Sequence, residues 1–548
     1  MNRNTVNLFA EEATIETNRS HWSEEWTHKT SFNNGDLVPI AATSDILPGT
    51  TIKNRTSVLI RMSTPKYPTM DTLEADTYWF WVPWWHIWKN SKAFFGENEK
   101  GTWTVTAEYS IPKIQINTTA VSVHSIISYM GIPQGLKNFT INALNVRAYC
   151  RIYNYWFRDQ NLIAPLDYSD GDETVTYVIT NPITGGQVCK VAKYHDYFTS
   201  ALPEPQKSPQ GAVGIPIGTE APVKIYGTGK PVYLNVDGGN RGAWRQSGDT
   251  GLTVGNLNKL MNQGANIAGQ ITFSNSSVGA DEVGLRGVAD LTSATAATIN
   301  ALRLAFATQR IFEKDARYGT RYNEVIRGHF GVTSPNASLH VPEYLGGSHF
   351  LINVETVLQN SSTNEESPLG ETGAFSVTFD TNDDFTKSFT EHGCLIGLIC
   401  VRARHTYQQG VARQWTRTSR LDLYWPSFAH IGNQPIYNSE IYATGTAKDN
   451  EVFGYKEAWA EYKYTPSMVS GMLSSLYSKP LDSWHYADKY DSLPTLSQKW
   501  IEEPTEFVDR TLLVQSDVTD QFIADIAIER EISAVMPLHS TPGLIDHF

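Results

Sequence analysis

The sequence predicts a mainly β protein, a double-sheet jelly roll that carries long loop insertions and a few helices. Three observations lead there. Segments rich in Thr, Val, Ile and aromatic residues stand towards both ends of the chain. Two helical patterns and a long stretch dominated by Gly, Ser, Thr, Asn and Ala separate them. The sheets must then be assembled from strands far apart in sequence, which a jelly roll does.

Residues 1–36 form an extended polar arm in this reading, and 37–204 the first part of the jelly roll. Val38–Ala41 is a short strand, and Pro39, which has no N–H to donate, places it at a sheet edge. Leu47–Pro48–Gly49 turns the chain into a strand over Thr50–Arg61. In Thr77–Trp88 (TYWFWVPWWHIW), the run Tyr78–Val82 is apolar on both faces and predicts a strand covered on both sides. Trp79, Trp81, Trp84, Trp85 and Trp88 have two readings, as core or as anchors between subunits. Asn142–Gln160 (NALNVRAYCRIYNYWFRDQ) repeats apolar residues at three- and four-residue spacing and predicts a helix over 142–160. The composition shift marks 205–293 as a surface insertion with weak structure of its own. A second helix follows over Thr295–Asp315, with Ile299, Leu302, Ala305, Phe306, Gln309 and Phe312 as its inner stripe. The second part of the jelly roll spans 294–478, including a buried strand with a polar tail at Cys394–Arg404 and an alternating segment at Leu421–Trp425. The last segment, 479–548, is loop-rich and wraps its own core or a neighbour.

Composition narrows the function. Of 548 residues, 18% are charged, below the usual ~25%, while 15 are Trp and 26 are Tyr. Few charges with many such rings suit a surface covered by other protein; the alternative is one large aromatic core. The net charge of −13 means that contact with nucleic acid requires a local basic patch or a separate basic partner. Cys150, Cys189, Cys394 and Cys400 are too few and too scattered for a disulfide framework or a zinc site. Met1–Thr17 lacks the apolar stretch of a signal peptide, and no run of 18 apolar residues predicts a membrane span.

The chain shows no constellation typical of an enzyme, and no cofactor is expected. There is no GxSxG, no HExxH, and no GxGxxG opening a helix. Gly227, Gly229 and Lys230 imitate part of a phosphate loop, but Pro231 stands where Ser or Thr is needed. Asp167–Glu173 and Asp380–Asp384 are acidic enough to consider calcium, the latter through Asp380, Asn382 and Asp384 with Glu391 at the twelfth position. Phe385 occupies the place of the glycine that a calcium loop needs, so solvated turns are the expectation for both. Between Glu391 and Asp422 no acidic residue occurs. Arg402, Arg404, Arg413, Arg417 and Arg420 lie there with Trp415, a mixture suited to single-stranded DNA; ordinary ion pairing in an acidic protein is the other reading.

Several blocks resemble one family. Arg151–Pro165 (RIYNYWFRDQNLIAP), Tyr197–Pro209, Asp315–Pro335 (DARYGTRYNEVIRGHFGVTSP), Val341–Gly347, Glu391–Leu398, Val452–Leu473, Leu481–Tyr490 and Met536–Phe548 are similar, in order, to the major capsid protein of microviruses (Microviridae), nearest the gokushovirus branch. The resemblance implies a viral jelly roll, an eight-stranded antiparallel β-barrel or sandwich. It implies a T=1 icosahedral shell of identical chains around a circular single-stranded DNA genome, a small basic internal DNA-binding protein, and assembly into virions in the host bacterial cytoplasm. It further implies that the 205–293 insertion forms a threefold protrusion that meets a host cell-surface receptor.

Overall fold

The structure is a computed structural model. It describes residues 18–98, 109–208, 299–335, 340–361 and 369–539, with the backbone of four short strands inside 223–289. Residues 1–17 of the expected arm and most of the 205–293 insertion, Gly229 and Lys230 included, lie outside the described residues. The chain divides into two compact units, one running to Pro205 and resuming at Asp315, the other Gln206–Lys314. In the smaller unit, Val223–Gly227 pairs with Leu285–Ala289 and Val232–Asn235 with Arg241–Trp244, both antiparallel.

The larger unit is built on β1 (Ser20–Phe32), β2 (Val38–Ile46), β3 (Thr50–Met62), β4 (Leu73–Pro83), β5 (Glu343–Gly346), β6 (His349–Ile352), β7 (Thr378–Phe389), β8 (Gly393–Ala403) and β9 (Phe522–Ala534). One antiparallel sheet has the order β1-β9-β3-β7. The other runs β5-β4-β8-β2, with β6 also paired to β4. With β5 and β6 counted as one interrupted strand, consecutive strands alternate between the two sheets except at β4 and β5/β6, which pair with each other, the interleaving of a jelly roll. β2 stands at the edge, as Pro39 requires.

The burial patterns explain the layers. β3 and β9 alternate between core and outer face, so their sheet is covered on one side only. β4 and β8 are buried almost throughout, because their sheet is covered twice. On the inner side Trp79 and Trp81 meet Phe385 and Phe389 of the opposite sheet, with ring centroids 6.0 and 4.3 Å apart. On the outer side lies α1 (Leu144–Ile152) with the turn that follows it. Tyr149 donates to the Leu37 carbonyl at 2.9 Å, and Phe157 packs edge-on to Tyr78 at 5.1 Å. The helix expected over 142–160 is shorter, because a π-turn at Tyr153–Phe157 ends it. α2 (Ile299–Tyr318) forms near its expected place, but the stripe read as inner is not buried: Ile299 and Phe306 are exposed and the other four members are half-buried.

Three further expectations change. Ser20–Phe32, read as part of an arm, is a full strand paired with β9 from Ser20↔Ala534 to Phe32↔Phe522. The segment 479–548, read as loop-rich, contains β9, the strand between β1 and β3. Leu421–Trp425 is an exposed turn and not a strand, since its alternating apolar residues face solvent on every side.

A polar chain crosses the sandwich. Arg530 of β9 is buried, with its guanidinium 4.7 Å from the Trp26 ring centroid and 5.2 Å from that of Trp79. It donates to Asn54 Oδ1 at 3.0 Å, and Asn54 Nδ2 donates to Asp384 Oδ2 at 2.8 Å. Thr56 donates to the same carboxylate oxygen and accepts from Trp79 Nε1 at 3.1 Å. Burial lowers Arg530 to about 10 and raises Asp384, as removal of either charge from water requires. Asn54→Ala leaves Arg530 and Asp384 each short of a partner. The expected loss is about 2–4 kcal/mol in denaturant unfolding, whereas Lys53→Ala, on the exposed face of β3, should change stability by less than about 0.5 kcal/mol.

Candidate interaction surfaces

The tryptophans considered as intersubunit anchors lie inside the chain. Trp79, Trp81, Trp84 and Trp88 are buried. Trp84 donates to the Ser44 carbonyl at 3.0 Å, and Trp88 donates to the Asp172 carboxylate. Trp85 alone is half-buried, with its indole N–H on Glu391 at 2.9 Å. Four of the five are thus packed within the chain, and Trp85 keeps part of its surface accessible.

The acid-free arginine stretch is neutralised by carboxylates from elsewhere in the chain. Arg402 donates to Asp76 at 2.7 Å and to the Tyr78 hydroxyl at 2.9 Å, and lies 3.8 Å from the Tyr194 centroid. Arg404 binds Glu74, although its own side chain is 73% exposed. Arg413 stands 3.9 Å from Glu440 and over Tyr437, and Arg417 pairs with Glu461 at 2.9 Å over Tyr462. Arg420 stacks on Trp425, and Trp415 is 76% exposed. A linear stretch without acids says nothing about acids brought to it by other strands, and β4 brings two.

Of the two acidic candidates for calcium, Asp167–Glu173 is a largely exposed loop that bends at 171–172, but Asp380–Asp384 is not a turn. Asp380, Asn382 and Asp384 stand on β7, where a bulge follows Asp383. Asn382 turns its amide N–H, a donor, towards Asp384 and towards the Gly347 carbonyl, the wrong polarity for a cation. In Asp167–Glu173, Asp172 takes hydrogen bonds from Trp88 and Asn90. Among the described residues no group of three His, Cys, Asp or Glu side chains is placed to hold a metal ion.

Two features escaped sequence reasoning. The first is a buried charge network just beyond β8. His405 places Nδ1 2.8 Å from Asp488 and Nε2 2.9 Å from Glu503, with all three side chains nearly inaccessible. Lys193, also buried, lies 3.7 Å from Asp488 and 4.6 Å from the Trp500 ring centroid. Glu503 also accepts from Asn34 and from the backbone N–H of Ala403. Burial alone depresses an imidazolium, but the charges of Asp488 and Glu503 outweigh it and raise His405 to about 9. The second feature is an exposed apolar face. Trp415, Leu421, Leu423, Tyr424, Met468 and Leu476 are all exposed. Trp415, Tyr462 and Met468 line one concavity of 620 Å³, and Tyr424 packs edge-on to Trp459 and Tyr462. Such a concentration of exposed rings and aliphatic chains marks an interaction surface.

Comparison with known proteins points one way. The family model described as "Capsid protein (F protein)" matches residues 10–544. "Capsid protein VP1" of Bdellovibrio phage phiMH2K is 38% identical over 556 residues, covering 100% of this chain and 99% of its own. The proteins of the same name from Chlamydia phage 1 and Spiroplasma virus 4 are 36% and 38% identical, covering 98% and 94% of this chain and the same shares of their own.

The His405 network fixes a pH dependence. A group whose folded value is raised from 6.5 to about 9 stabilises the fold fully below pH 6.5, and the stabilisation is lost as pH rises through 9. The thermal midpoint of the full chain should therefore fall between pH 6.5 and 9 by more than in His405→Gln. That variant should also lose about 3–5 kcal/mol at pH 6, because two buried carboxylates are left with Lys193 alone. Equal pH profiles for the two proteins would contradict the assignment.

Proposed function

Because the chain belongs to the capsid protein (F protein) family of microvirus-type phages, we propose that it builds a small icosahedral, T=1 shell by self-association and encloses a circular single-stranded DNA genome. The observation that carries the assembly reading is the exposed apolar face around Trp415, Leu421, Tyr424 and Met468. A closed shell of identical chains needs complementary, non-identical patches whose rotations close. Burial of aliphatic and aromatic surface at each contact, at about 25 cal/mol per Å², supplies the driving force.

The finer parts of the reading rest on other supports. Arg404, Arg420 and Trp415 keep exposed side chains and are the members of the acid-free stretch able to meet DNA. The net charge of −13 fits a small basic internal protein that shares the neutralisation of the genome. The 205–293 insertion, whose composition differs from the rest, is assigned to host attachment through a cell-surface receptor. Virions assembled in the host bacterial cytoplasm are the matching location.

The assembly reading is tested with Leu421→Glu combined with Met468→Glu. Both side chains are exposed, so the chain should fold as before while each shell contact loses about 2 kcal/mol or more. Sedimentation should then show folded monomer in place of megadalton particles; unchanged particle yield would move the contact elsewhere. Deletion of 205–293 should leave particles intact and reduce their adsorption to host cells, and full adsorption would end the receptor assignment.

A further inference from the structure

Two cavities beside α1 carry a chemistry that the assembly reading leaves unused. One, of 1020 Å³, is lined by Arg151, Tyr155, Trp156, Arg321, Tyr322 and Arg327. The other, of 510 Å³, is lined by Arg158, Arg317 and Lys456, and Arg321 stands in the wall of both. In a chain of net charge −13 this is a concentration of cations, and the carboxylates in the two walls do not cancel it. Glu324 is held by Arg321 and Gln160, and Glu343 by Lys387. Asp159 accepts from the backbone N–H groups of Asn161 and Leu162, and Glu457 pairs with Lys463 at 3.1 Å. Arg151, Arg158, Arg317 and Arg327 have no carboxylate within ion-pair distance among the described residues. This is the opposite of Arg402, Arg404, Arg413 and Arg417, which all do.

The arrangement is satisfied only in part: Arg321 pairs with Glu324 and donates to the Tyr155 and Asn154 carbonyls, whereas Arg151 and Arg158 donate to the backbone carbonyls of His340 and Ile163 and have no carboxylate partner among the described residues. The guanidiniums of Arg151 and Arg321 each lie 4.8 Å from the centroid of the same Tyr155 ring. The Nε atoms of Arg151 and Arg158 are buried without a hydrogen-bond partner among the described residues. Like charges gathered at one ring repel, and an anion between them removes that repulsion. Around them stand rings with accessible surface: Tyr322 is 76% exposed, and Trp156 and Tyr344, which pack against Phe80 and each other on one side, keep nearly half of theirs. Planar guanidiniums match phosphate in a bidentate fashion, and exposed rings offer flat faces to flat partners. Two cavities that share Arg321 suit a ligand longer than one unit.

We propose that these two cavities bind single-stranded nucleic acid, with phosphates on Arg151, Arg321 and Arg158 and bases against Trp156, Tyr322 and Tyr344. The proposal deepens the genome-enclosing reading and rests on it for the source of the strand. It moves the contact away from the acid-free stretch. Binding by the purified chain is separable from packaging: either can fail while the other stands.

The probe is a fluorescent oligothymidylate of about twelve nucleotides, titrated against the full chain by anisotropy at several salt concentrations. Arg327→Gln should reduce the salt slope by about 1, and Tyr322→Ala combined with it should weaken binding at least about tenfold. Both side chains are exposed, so the melting temperature should not move and a lost signal reports the site. Arg404→Gln should leave the affinity unchanged, and ultraviolet cross-links should map to Tyr155, Trp156 or Tyr322. An affinity unaffected by the double variant, cross-links confined to 402–425, or tighter binding of an acidic peptide of equal length would each overturn the proposal. Equal competition by inorganic polyphosphate would overturn the stacking of bases.

Discussion

The strand that closes the first sheet comes from a part of the sequence far from both of its neighbours. β9 pairs on one side with β1 and on the other with β3, so residues 522–534 sit between residues 20–32 and 50–62. Until it is in place, β1 has no partner and one edge of β3 lacks a neighbour. Contacts over such sequence distances carry a high loop-closure entropy and form late. The loops gathered between the strands can therefore settle only once β9 has paired.

β9 also brings in Arg530, and with it the polar chain to Asn54 and Asp384. Residues from both sheets bear on that guanidinium: Trp26 of β1, Trp79 of β4, Asn54 of β3, and Thr43 of β2 at 3.2 Å. A purely apolar sandwich can slide by a residue pair at modest energetic cost, whereas a slip here would strand a charge in the core. The His405 network does the same at the end of the sandwich. It ties the exit of β8 to Asn34 before β2 and to Asp488 and Glu503 before β9. Gly35, at φ +80°, passes so close to Glu503 that a Cβ there would lie 2.6 Å from its carbonyl oxygen. The network thus depends on a backbone approach that only glycine allows.

Two of the strands that sequence reading located have a uniform environment, unlike the alternating β3. Tyr78–Val82 and Cys394–Arg404 are apolar on both faces because α1 and the opposite sheet cover both, and no knowledge of the partners is needed to see it. β1 was missed because its sequence, SHWSEEWTHKTSF, is polar at most positions. It is an edge strand with an exposed outer face, and only pairing with β9 makes it a strand. β9 itself alternates cleanly, but Arg530 stands on its inner face among Ile526, Ile528 and Ile532, and the loops before it disguised the period. The site was less legible still. The acid-free interval 392–421 looked cationic, yet Glu74 and Asp76 reach it from a strand more than 300 residues away in sequence. Arg151, Arg158, Arg317 and Arg327, which have no carboxylate within ion-pair distance among the described residues, lie in two separate segments, each with acids close by in sequence.

The same residue types serve opposite purposes here, which limits what composition can say. Trp79, Trp81 and Trp88 fill the sandwich, while Trp415 and Trp156 face outward. Their distribution follows the topology. Strands supply a core that needs large rings to bridge two sheets about 10 Å apart, and the loops then present the remainder. The longest connections of this fold support the sandwich at a few points, such as α1 and the His405 network, and elsewhere can carry exposed apolar and cationic surface. The exposed face around Leu421 and the cavities around Arg321 both lie on such connections.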